Sequence, residues 1–73
     1  MHLTPGGLVT TVYGLDHVVY MYKNIGKYGL TSYTYVIRHW EIPLVVAIDK
    51  NNYIMMLINN KLGWAHSRHF KCI

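Results

Sequence analysis

Large apolar residues in this chain come in short runs, each four to eight residues long, separated by Gly, Asn, Asp and Pro. Six runs stand out: Leu8 to Tyr13, Val18 to Tyr22, Tyr33 to Trp40, Leu44 to Asp49, Tyr53 to Asn59, and Trp64 to about Ser67. A further extended piece is expected at Phe70 to Ile73. Valine, isoleucine and tyrosine dominate, and these side chains favour a pleated, half-buried surface. No segment keeps apolar residues at i, i+3, i+4 and i+7 between helix caps, so helices are not expected. The predicted class is therefore all-β.

The punctuation supports the same division. Gly14 to Asp16 interrupts the first run, and Asn24 to Gly29 supplies two glycines for a long loop, with the second run read alternatively as part of a long loop and not as a strand. Asp49-Lys50-Asn51-Asn52 and Asn59-Asn60-Lys61-Leu62-Gly63 supply residues that tolerate left-handed geometry. Pro43 cannot donate to a ladder, so it belongs at the junction of the third and fourth strands. Strands this short, with both faces partly apolar, suit a small barrel whose closure removes exposed edges.

Seventy-three residues without a repeat or a linker are expected to form one domain, 1–73, around one core. A chain of this size buries only about 60 to 65% of its unfolded surface. Its single cysteine, Cys72, leaves burial to hold the fold without an intramolecular disulfide. No secretory or targeting pattern is evident at Met1 to Gly7. The longest apolar stretches, Leu44 to Ile48 and Tyr53 to Ile58, are strand-sized and far below the ~20 residues of a membrane-spanning helix.

The last thirty residues carry a more specific pattern. Leu44 to Asp49, a turn, Tyr53 to Ile58, a turn, then Leu62-Gly63-Trp64-Ala65-His66 with Phe70 following resembles the closing strands of SH3-like barrels of the bacterial and phage type. Gly7 to Tyr13 is similar to the opening strand of such a barrel. The resemblance implies a barrel of five to six short strands, with Ser67 to His69 as a 3₁₀ turn before the last strand. It also implies a small tailed-phage protein acting in the host cytoplasm or in the virion. Signalling SH3 domains hold basic proline-rich peptides with an acidic loop. Here Lys23 and Lys27 make that loop basic, with Asp16 the only acid, so such ligands are not expected.

Chemistry-bearing patterns are sparse. The acids Asp16, Glu41 and Asp49 are far apart in sequence, which disfavours paired-carboxylate catalysis. Cys72 with His69 would make a nucleophile pair only at a frayed terminus. Gly26-Lys27-Tyr28-Gly29 lacks the ending and context of a phosphate loop. His66-x-x-His69-x-x-Cys72 would share one face on a helix but would not converge in a strand-turn-strand, with His2, His17 or His39 as remote fourth ligands. The expectation is a non-enzyme with no cofactor and no metal.

Binding remains. Apolar residues reach 52% and aromatics 14%, while charged residues are only 14%, so an exposed apolar patch and an association surface are expected. Alternation puts Tyr33, Tyr35, Ile37 and His39 on one face of the third run and Val36, Arg38 and Trp40 on the other. Of Met55 and Met56, one should point into the core and the other outward. The predicted protein-binding residues are Tyr33, Tyr35, Trp40 and Trp64. Trp64 is also expected to anchor the core, which would make Trp64→Ala cost roughly 3 to 5 kcal/mol. The alternative partner is nucleic acid, favoured by a net charge of +4, with Lys23, Lys27, Arg38, Lys61, Arg68 and Lys71 as phosphate contacts. No membrane partner is expected.

Overall fold

The computed structural model describes residues 3–15 and 17–73. His2 and Asp16, considered above as a metal ligand and a carboxylate, lie outside the described residues. Seven strands and one 3₁₀ turn follow in order. They are β1 (Val9–Thr11), β2 (Val19–Gly26), β3 (Gly29–Ile37), β4 (Leu44–Ile48), β5 (Tyr53–Ile58), β6 (Lys61–His66), the turn Ser67–His69 and β7 (Phe70–Cys72). All pairing is antiparallel. One sheet has the order β3-β2-β6-β5-β4, and β1 and β7 form the second.

The all-β class and the 3₁₀ turn at Ser67–His69 match the sequence reading. Seven strands replace the expected five to six, and the barrel is not closed. At the β4 edge the N-terminal segment crosses between the sheets. Gly6 N donates to Val45 O (2.8 Å), Val45 N to Gly7 O (2.9 Å) and Val9 N to Pro43 O (3.1 Å), and Leu8 bridges Leu44. At the other edge β3 has only β2 as a ladder partner, so the ladder ends there instead of returning to β1.

Asn24 to Gly29, read as a long loop, is the far end of the β2–β3 hairpin. Ile25 pairs with Leu30 and Gly26 with Gly29, leaving Lys27 and Tyr28 as the turn. Gly29 adopts φ +119°, a conformation that an L side chain would strain. The β5–β6 connection is likewise tighter than its five polar or small residues imply. Asn59 and Asn60 alone make the turn, both at positive φ as a type I′ hairpin requires, and Lys61 already belongs to β6. Between β4 and β5, the Asp49 carboxylate accepts from Asn51 N (2.8 Å) and Tyr53 N (3.0 Å) and holds that turn.

The core gathers Val9, Val19, Met21, Ile37, Val45, Ile54, Met56, Ile58, Ala65 and Phe70, with Leu3, Tyr13 and Tyr35 packed against it. Met56 points in and Met55 out, as alternation requires. In β6 the inward positions are Gly63 and Ala65, so Trp64 takes the outward one and is half-buried. This corrects its expected place as a core anchor. Trp64→Ala should therefore cost about 1 to 2 kcal/mol, since the ring already meets solvent. A urea midpoint with unchanged slope measures it.

Candidate functional site

Two bulges set which side chains reach the outer surface of the five-stranded sheet. In β3, Tyr33 pairs with Tyr22 and Tyr35 with Met21, so Thr34 is an extra residue. In β4, Val46 is extra between Val45, opposite Met56, and Ala47, opposite Met55. Each bulge reverses the alternation beyond it. The strict alternation of the third run is corrected accordingly. Tyr33 stands beside outward Tyr22, whereas Tyr35 and Ile37 stand beside inward Met21 and Val19.

The result is a continuous lateral row, Tyr33, Tyr22, Trp64, Met55 and Ala47, with one residue from each of the five strands. A parallel row runs Leu62, Leu57, Leu44 and on to Leu8 across the bridge to the second sheet. Tyr20 adds an edge-to-face contact with Tyr33, ring centroids 5.5 Å apart, and Tyr53 does the same with its partner His66 at 5.3 Å. Tyr33 is 57% exposed, Leu62 54% and Tyr20 51%. Such cross-strand pairs stabilise the sheet, but their remaining apolar area faces outward.

Of the predicted protein-binding residues, Tyr33 and Trp64 share the central row. Tyr35 does not join them. Its hydroxyl donates to Glu41 Oε2 (2.6 Å) and accepts from Asn59 Nδ2 (2.6 Å), within a network that also binds Arg38 N to Glu41 Oε1 (2.8 Å). The hydrogen bond to Glu41 raises the Tyr35 pKa above its ordinary value, because the phenol proton is shared with a carboxylate. Trp40 is well exposed but sits in the turn after β3, edge-on to His39 and 5.9 Å from the Arg38 guanidinium. It belongs to that turn and not to the sheet face.

The cations proposed for phosphates are spread over the molecule. Lys23 lies on β2, Lys27 in the β2–β3 turn over the Tyr28 ring, Arg38 just after β3, Lys61 at the start of β6, Arg68 in the 3₁₀ turn and Lys71 on β7. None of them stands in the two apolar rows. The carboxylates Glu41 and Asp49 occupy different turns, each accepting hydrogen bonds that shape its turn. Among the described residues no group of three or more His, Cys, Asp and Glu is placed to hold a metal ion.

At one end of the face lies a cleft of about 310 Å³ lined by Tyr13, His17, Tyr20, Tyr22, His66 and His69, among others. The Tyr13 hydroxyl is 2.6 Å from His69 Nδ1, and its ring stacks on His17 at 5.1 Å. His66 Nδ1 accepts from Arg68 N (3.1 Å) and so caps the 3₁₀ turn. Burial above all, then the charges of Arg68 and His66, hold the His69 pKa below its ordinary value of 6.5. The folded state thus binds fewer protons at His69 than the unfolded chain does. The stability this contributes is fully present above pH 6.5 and is lost as pH falls from there through the lowered native value. Urea midpoints of wild type and His69→Gln between pH 8 and pH 5 should show a loss in the wild type that the variant lacks.

Sequence reasoning did not single out Tyr20, Tyr22, Leu57 and Leu62 as surface residues of this face or Tyr13 as a wall of the cleft, and it left open which of Met55 and Met56 points outward. Alternation within Val18 to Tyr22 and Tyr53 to Ile58 carried the signal for four of them, because Tyr20 and Tyr22 flank Met21 while Met55 and Leu57 flank Met56. No protein-family model, curated protein or solved structure matches this chain.

Proposed function

We propose that the protein is a non-catalytic interaction module that docks on a protein partner through the outer face of its five-stranded sheet. The observation that carries the reading is the pair of uncharged rows: Tyr33, Tyr22, Trp64, Met55 and Ala47 beside Leu62, Leu57, Leu44 and Leu8. An aromatic and aliphatic surface without Lys, Arg, Asp or Glu has the composition of an interface centre. A nucleic-acid strand lying along the two rows would find stacking rings but no cation within them to neutralise its phosphates, which is why a protein partner is the better reading. The β4–β6 meander, the 3₁₀ turn and the return of β7 to β1 are consistent with the resemblance to SH3-like barrels drawn from the sequence. With that resemblance goes the proposal of a role in a phage particle or as an accessory factor in the host.

The test compares wild type with Met55→Lys and Leu57→Lys, which put a charge into each row without touching the core. Light scattering over a range of concentrations reads self-association, and affinity capture reads other partners. A partner, whether a second copy or another protein, should be held by the wild type and lost by both variants while their melting curves stay close to wild type. A monomeric protein whose capture profile is the same in all three chains would remove the reading.

A further inference from the structure

We propose that the tyrosine–histidine cleft at the end of the docking face receives one aromatic side chain of an acidic partner segment. The inference rests on the docking reading above and names the chemistry of the partner at one point of it. At about 310 Å³ the cleft is at the small end of ligand pockets, which run from about 300 to 1,000 Å³. That volume suits a single ring system better than a length of peptide. An aromatic anchor in a pocket beside a flatter apolar surface is how protein interfaces concentrate their affinity.

The walls are already ordered. Tyr13 is tied to His69 at 2.6 Å and stacked on His17, so the loop after β1 is fastened to the 3₁₀ turn before any ligand arrives. Little conformational freedom is then lost on binding. Tyr20 and Tyr22 extend the wall directly into the central row, so a segment lying on the face can drop a ring into the cleft without leaving the surface.

The charge around the cleft selects the sign of the segment. The described lining residues include no Asp or Glu. Arg68 lies between His66 and His69 in the 3₁₀ turn, and its charge acts on the cleft wall, disfavouring a second positive charge at His69. A carboxylate next to the anchoring ring would be stabilised by the same field, and a lysine there would be repelled. Arg68 is exposed, so this contribution weakens as salt rises. The whole chain at +4 steers the same choice at longer range.

The experiment is a titration of the intact protein, followed by amide and histidine-ring NMR, with three probes. One peptide carries a Trp flanked by Glu on both sides, a second has Lys in place of Glu, and the third probe is a twelve-residue oligothymidylate. The Glu-flanked peptide should shift resonances of Tyr20, His66 and His69 in a saturable way, and the Lys-flanked one should bind about tenfold more weakly. Tyr20→Ala should lower the affinity about tenfold by removing a wall. Arg68→Gln, an exposed change that leaves the fold intact, should bring the two peptides to within about threefold of each other. Equal binding of both peptides, or shifts that avoid the cleft, would overturn the proposal. So would oligothymidylate binding at the cleft with steep salt dependence while neither peptide binds. Loss of partner binding in Met55→Lys with intact peptide binding at the cleft separates the face from the pocket, so each can fail alone.

Discussion

Gly63→Ala should destabilise the fold by about 3 kcal/mol, the largest effect expected of any single added methyl group. Gly63 is buried on the inward side of β6. A Cβ built there would stand 3.0 Å from the Tyr22 carbonyl oxygen and 3.1 Å from Met21 Cε, and closer still to Met21 Cγ. The carbonyl is backbone of the adjacent strand and cannot step aside without opening the single β2–β6 pairing at Tyr22 and Trp64. Met21 is fully buried, and its Cγ is near the root of the side chain, so flexibility at the tip gives little relief. Urea denaturation should show a lower midpoint. A loss under about 1 kcal/mol would mean that β2 and β6 are not packed as closely as described.

Met21→Ala should cost a similar amount, about 3 to 4 kcal/mol, for the opposite reason. Met21 is 0% exposed and fills the space above Gly63 on the inner side of the sheet. Truncating it leaves a void that the paired backbones of β2, β3 and β6 cannot collapse into. The two changes then compete for one volume. In a double-mutant cycle, the pair should be less destabilising than the sum of the singles by at least about 1 kcal/mol, because the new methyl occupies part of the vacated space. Strict additivity would place the two side chains in separate cavities and contradict the packing.

Trp64 shows how one glycine redirects the surface. With Gly63 taking the inward position under Met21, the neighbouring indole is turned to the outer row beside Tyr22 and Met55. The sequence pattern Gly-Trp marks the hairpin correctly, but it does not say which of the two residues is swallowed. An anchor inside and a docking residue outside look the same in one dimension.

Several features were nonetheless legible in the sequence. The fourth and fifth runs became β4 and β5, with Pro43 immediately before β4 and its carbonyl accepting from Val9. The extended run of the fifth strand and the Asn-rich turn after it were anticipated as well, and the resemblance to SH3-like barrels implied the short turn at Ser67–His69. These depend on local properties: the missing N–H of proline, the left-handed tolerance of asparagine, and the preference of β-branched residues for extended backbone. The β2–β3 hairpin was not legible, because Asn24 to Gly29 is poor in strand formers and is extended only because each half pairs with the other.

What the residues determined unaided was therefore the class of structure and the apolar surplus: short β segments, too many rings for so small an interior, and a net positive charge. What the tertiary structure decided was the address of each ring. Thr34 and Val46 shift the strand register, Gly63 opens a place for Met21, and the N-terminal segment covers the β4 edge while β3 stays at the margin. The reason is that side-chain facing in a sheet is inherited from pairing with a distant strand. One extra residue in a ladder reverses everything after it, and nothing in the local sequence announces where that residue will fall.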